Sequence, residues 1–210
     1  MNNIFSCNFP NYGFVGCTLT DEQLAPIVKE VNDILNNLDL ATSRYTANTL
    51  VGHIVKEYKL IDSADHLESL VNPLIKVYQQ SFGSVNNNLL NKDFKLHKAW
   101  INFQKKYEFN PLHRHTGDYS FVLYIKIPYT MKDENSYFSH LTESANKAGT
   151  FSFQFTNTLG QISSWNIPTD SSYEKRLILF PAEMNHEVHP FYSSDEYRIS
   201  ISGNMISDKE

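Results

Sequence analysis

The sequence predicts an α+β fold in which an N-terminal helical segment packs on an antiparallel β-barrel. Three observations carry this. Apolar residues recur at three and four before about residue 93, then switch to short runs bounded by turn residues. Phe 14 and Tyr 12 raise the aromatic fraction to 13%, which favours strands. The 210 residues are 41% hydrophobic and 20% charged, a globular composition in a chain long enough to bury its core without disulfides. The expected division is a helical and connecting segment over 1–93 and a barrel over 94–210.

The first helix is expected over Thr20–Leu38. Leu24, Ile27, Val28, Val31, Ile34, Leu35 and Leu38 recur at three and four, Thr20 is the N-cap, and Asp21 and Glu22 meet the positive end of the helix dipole. Residues 39–61 read as a connector with a short helical or extended piece near Val51–Tyr58. A second helix spans Ala64–Phe82, capped by Asp62 or Ser63 and stopped at Gly83, with Pro73 kinking or splitting it. Strands follow at Phe94–Phe103, Tyr119–Ile127, Thr150–Thr156, Gln161–Ile167, Arg176–Phe180, Glu187–Phe191 and Glu196–Asn204. Their even spacing suggests a sandwich or barrel. The intervening Tyr129–Gly149 is long, polar and weakly periodic, as functional loops are.

Several classes are disfavoured. A net charge of −5 argues against bulk nucleic-acid binding. No stretch approaches the roughly 18 apolar residues of a membrane span, and Met1–Asn8 has no basic, apolar leader pattern. Two cysteines, Cys7 and Cys17, are too few for a disulfide framework and are expected to stay reduced in a cytoplasmic setting.

The chemistry concentrates in the histidines. Of eight, His53, His66, His97 and His140 read as surface or satisfied core residues. His113 and His115 lie two apart before the strongest strand, so an extended backbone points both rings to one side. Imidazole is a common ligand for iron, zinc, copper and nickel. Downstream, an apolar strand ends at Phe180-Pro181, His186 opens the next strand, and Arg198 begins the last. His189 is out of phase with His186. On the last strand, Tyr197, Ile199 and Ile201 alternate with Arg198, Ser200 and Ser202. The polar set faces either solvent or a barrel lumen. Trp100 and Asn102 share a face of the first strand and can line a pocket. This combination asks for a double-stranded β-helix (jelly-roll, cupin-like) with a metal at one mouth.

In these stretches the sequence resembles the Fe(II)/2-oxoglutarate-dependent oxygenases. Within them it is similar to a branch found in marine bacteria and T4-like cyanophages. The residues that carry the likeness are Trp100-Ile101-Asn102, the run from Phe109 to Tyr124, Phe155–Gly160, Phe180–Val188 and Arg198–Asn204; it covers about 94–206. The resemblance implies Fe(II) and 2-oxoglutarate as cofactors and dioxygen as co-substrate. It makes His113 and His186 metal ligands and places His115 where the family has a carboxylate, with Asp118 the alternative donor. It assigns Arg198 to the far carboxylate of 2-oxoglutarate, which a guanidinium grips with two parallel hydrogen bonds. Ser200 and Tyr124 are the accompanying donors. Tyr129–Gly149 is the expected lid. The implied reaction is hydroxylation of an unidentified substrate, with succinate and carbon dioxide released, in the cytoplasm or, for a viral protein, the host cytoplasm. Two other classes stay open: a cupin-like three-histidine dioxygenase without 2-oxoglutarate, and a non-catalytic barrel serving as a viral interaction or structural module.

Overall fold

The computed structural model describes residues 11–83, 92–143 and 145–207. Cys7 and the Met1–Asn8 reading lie outside these residues. Two antiparallel sheets face one another. The larger has the order β1 (Val15–Thr18), β8 (Arg176–Pro181), β5 (Tyr119–Lys126), β10 (Arg198–Ser207), β3 (Phe94–Gln104) and β2 (Lys56–Lys59). The smaller has the order β4 (Asn110–His113), β9 (His186–Val188), β6 (Thr150–Thr156) and β7 (Ile162–Pro168). This is the double-stranded β-helix expected of the second half. β1 and β2, from the first 93 residues, close the two edges of the larger sheet. Each has only four residues, too few to show an alternation.

Helix α1 (Asp21–Asn36) starts as expected. Thr20 and Gln23 form a reciprocal capping box, the Gln23 amide donating to Thr20 Oγ1 at 3.3 Å and the Thr20 amide to Gln23 Oε1 at 2.9 Å. It ends early because Asn37 caps a further helix, α2 (Leu38–Arg44), so Leu38 is exposed rather than core. α3 (Ala64–Phe82) runs unbroken through Pro73, seated on the sheet by buried Leu67, Val71, Leu74 and Ile75. Its N-cap, Ser63, makes no capping bond because its hydroxyl donates to Glu30 instead, at 2.7 Å. Gly83 ends the helix with right-handed φ of −60°. Among the described residues, no helix is long and apolar enough to cross a membrane. Cys17 is a free thiol.

The larger sheet is buried on both faces. Phe103, Ile101, Phe121, Leu123, Leu177, Leu179, Ile199 and Ile201 pack with α1 and α3. Each such side chain stabilises the fold by roughly 1.5–3 kcal/mol. Val122, Tyr124, Ile178 and Phe180, one residue out of phase, face the smaller sheet and meet Phe151, Phe153 and Phe191. Gly203 shows how tightly the helix side is filled: a Cβ there would sit 2.4 Å from the Phe121 ring and 2.7 Å from the Lys98 carbonyl. Strand phase thus sends Arg198, Ser200 and Ser202 into the barrel, and the lumenal alternative holds.

The segment expected as a lid has structure of its own. α4 (Met131–Tyr137) opens with a Thr130–Asp133 capping box. Its buried Glu134 accepts from the Tyr192 and Ser193 amides at 2.9 Å each. Such anchoring suits a packed element, and the described residues of Tyr129–Gly149 are not among those that line the cavity described next.

Candidate active site

A cavity opens between the sheets. Its walls include His113, His115, His186, Tyr124, Arg198 and Ser200, together with Trp100 and Asn102. All six predicted site residues therefore meet one space.

Sheet register brings the histidines together. His113 ends β4 and His186 opens β9, and the two are direct cross-strand partners. His115 follows, held by its amide donating to the Ala182 carbonyl at 2.8 Å. The three ligating atoms lie within 4.8 Å of one another, as one metal ion requires. His113 Nδ1 contacts the Pro111 carbonyl at 2.6 Å, and His186 Nδ1 the Met184 carbonyl at 2.8 Å. Donation there fixes the tautomer and leaves each Nε2 lone pair free for metal. Burial lowers the pKa of all three. His186 falls to about 3 and His115 to about 4, with further repulsion from His113, and His113 falls as well. All three are neutral at pH 7, the ligand form. Aromatic rings box them in: Phe180 lies 4.9 Å from His186 and Trp100 5.7 Å from His115.

Asp118 is not among them. Its carboxylate accepts from the Ser207 amide at 2.6 Å, and the residue lines a different, surface pocket. The cluster is all-histidine, and its chemistry fits a divalent transition metal. His189 turns aside to Ser152 Oγ at 3.1 Å and Glu187 at 3.2 Å. His53, His97 and His140 are exposed, and half-buried His66 contacts the Gln23 carbonyl at 2.7 Å.

The cation is the second feature. Arg198 is 2% exposed. Its Nε and one terminal nitrogen donate to Gln104 Oε1 at 3.1 and 2.5 Å, and the other terminal nitrogen to Tyr129 Oη at 2.7 Å. These partners are neutral, and no ion pair with a carboxylate forms among the described residues. A buried charge held this way is short of a counter-ion. Tyr124, the expected phenol donor, bonds Thr169 beside Arg198, and burial raises its pKa. Gln104 and Tyr129 escape a sequence reading because their link to Arg198 spans 94 and 69 residues. Ser200 and Ser202 receive bonds from Asn102 Nδ2 at 3.3 and 3.1 Å.

A family profile described as "Putative 2OG-Fe(II) oxygenase" matches residues 98–204, half of the chain. The chain belongs to the 2OG-Fe(II) oxygenase family. Fe(II) and 2-oxoglutarate are that family's metal and co-substrate, and three neutral imidazoles beside an uncompensated arginine are suited to them. Among solved structures, the chain is similar to a Pseudomonas putida prolyl-4-hydroxylase, with 13% identity, TM-score 0.55 and 94% of each chain covered. It is also similar to a Trichoplax adhaerens prolyl hydroxylase, with 15% identity, TM-score 0.54, and 93% of this chain and 83% of that one covered. OsALKBH1 matches at 9% identity and TM-score 0.58, over 94% of this chain and 98% of that one. At such identities the likeness is one of fold. No curated protein matches the sequence.

Proposed function

We propose that the protein is an Fe(II)- and 2-oxoglutarate-dependent dioxygenase that hydroxylates its substrate through His113, His115 and His186 as metal ligands and Arg198 as co-substrate anchor. The observation that carries this is Arg198: a buried guanidinium without an anionic partner, opening on the same small cavity as three neutral histidines. A dicarboxylate held by Arg198 would supply the missing charge. Bound together, Fe(II) and 2-oxoglutarate supply the oxidant from dioxygen, with succinate and carbon dioxide as co-products.

The chain's own residues do the rest. Gln104, Tyr129 and the His189 carbonyl hold the guanidinium in place on the cavity wall. Ser200 adds a hydroxyl on the same face, and Tyr124 closes the wall. Phe151, Phe180 and Trp100 exclude water around the imidazoles. The sparse cysteines support a cytoplasmic site of action.

The test is anaerobic titration with Fe(II) and then 2-oxoglutarate, followed by succinate release on admitting dioxygen. His186→Ala should lose metal binding. Arg198→Lys keeps a charge but loses the planar fork, and should weaken 2-oxoglutarate binding about a hundredfold, on the order of 2.7 kcal/mol. Dioxygen consumption that needs no 2-oxoglutarate and survives in Arg198→Ala would favour a three-histidine dioxygenase without 2-oxoglutarate. A parent protein that binds no Fe(II) would return the barrel to a structural role.

A further inference from the structure

A second set of unmet polar atoms lies in the same cavity, on the β2 side. Glu57 is 2% exposed, and its buried Oε1 takes no hydrogen bond from any described residue. Its direct cross-strand partner is Asn102. The Asn102 amide nitrogen is committed to Ser200 and Ser202, which leaves its Oδ1 buried without a donor. Asn110 Oδ1, likewise without a donor, lines the same cavity. With Glu57 ionised, every unmet atom of this set is an acceptor oxygen. Beside them the wall is aliphatic, from Leu50, Val51 and Ile54.

Buried acceptors left empty cost about 1–3 kcal/mol each. A cavity that gathers such acceptors from both sheets, Glu57 and Asn102 from the larger and Asn110 from the smaller, is built for a donor-bearing ligand. Arg198 does not serve them: its guanidinium donates to Gln104, Tyr129 and the His189 carbonyl. A hydroxyl offers one proton to three acceptors, whereas an ammonium offers three and a guanidinium five. Burial, with some repulsion from Glu108, keeps the empty Glu57 protonated. An arriving cation would stabilise its ionised form and supply the counter-charge. The aliphatic wall suits a methylene stem behind that charge.

We infer that Glu57, Asn102 and Asn110 form the recognition end of a primary-substrate subsite that takes a cationic nitrogen carried on an aliphatic chain. This rests on the oxygenase reading of the cavity. The same chemistry could come from a free amine, a polyamine or a basic peptide side chain.

The experiment uses the full chain loaded anaerobically with Fe(II) and 2-oxoglutarate. Calorimetric titrations follow with n-pentylamine, cadaverine and an N-acetyl-lysine amide, each against its neutral hydroxyl analogue. The inference expects at least one amine to bind ten times more tightly than its analogue, and Glu57→Gln to remove that preference while 2-oxoglutarate affinity holds. The best of the three amines identifies the source. Equal binding of amine and hydroxyl analogues, or a preference that survives in both Glu57→Gln and Asn102→Leu, would overturn the subsite and leave the oxygenase reading intact. Failure of 2-oxoglutarate itself to bind the parent protein would overturn both.

Discussion

Two glutamates buried to the same 2% exposure sit in opposite circumstances. Glu30, under the helices, accepts from the amides of Ile61, Asp62 and Ser63 at 2.7, 3.1 and 2.7 Å, from the Ser63 hydroxyl, and from Arg44. Arg44 in turn pairs with Asp62 at 2.9 Å. Glu57, in the barrel, has a buried carboxylate oxygen, Oε1, that accepts from none of the described residues. The first carboxylate ties α1, α2 and the start of α3 into one body. The second is left open where a ligand can reach it. Burial alone does not separate a structural acid from a functional one; the inventory of donors does.

The comparison can be broken most forcefully at Glu30. Glu30→Ala removes the charge that Arg44 and three amides are folded around, and should cost about 3–5 kcal/mol, read from urea denaturation. A loss under 1 kcal/mol would erase the contrast. Glu57→Gln should do the reverse. Burial raises Glu57 from 4.5 to about 8. Between those values the unfolded chain sheds the proton and the folded chain keeps it. Stability is therefore complete below pH 4.5 and is lost as pH rises toward 8, at no more than about 1.4 kcal/mol per unit. The glutamine variant lacks that slope, and in metal-free protein at pH 7 should be more stable by on the order of 2 kcal/mol. Parallel pH–stability curves for variant and parent would show that Glu57 is already satisfied.

Smaller effects sharpen the contrast. Gln104→Ala should loosen Arg198 without touching the ligand, raising the dissociation constant of 2-oxoglutarate about tenfold, or roughly 1.4 kcal/mol, while metal affinity stays put. An equal loss of metal affinity would mean that the whole wall had collapsed. Thr20→Ala, remote from the cavity, should cost about 1 kcal/mol of stability by removing the α1 cap and leave ligand binding alone.

What was legible in the sequence follows from how local each signal is. The α1 cap, the long strands and the His113–His115 spacing are written within a few residues of one another. Arg198 and Ser200 could be placed on one face from alternation along a single strand. The unread features depend on pairing. Glu57 meets Asn102 only because β2 docks beside β3, and Tyr129 reaches Arg198 from a segment that reads as a polar loop. The Thr130–Asp133 box did mark the start of α4, but seven mostly polar residues gave no periodicity to support it. Pro73 misled in the other direction, because packing along the rest of α3 outweighs one lost backbone bond.

The cross-strand pairing of His113 with His186 has a mechanical consequence. An ion held by both is a clasp between β4 and β9, a three-residue strand whose own ladder is short. The free energy of metal binding is then also the free energy of keeping the smaller sheet shut. Adding a divalent metal should slow amide exchange along β4 and β9 far more than along β10, which is already locked between β3 and β5. The protein would carry its stiffness where its sequence is weakest, on loan from the ion it binds.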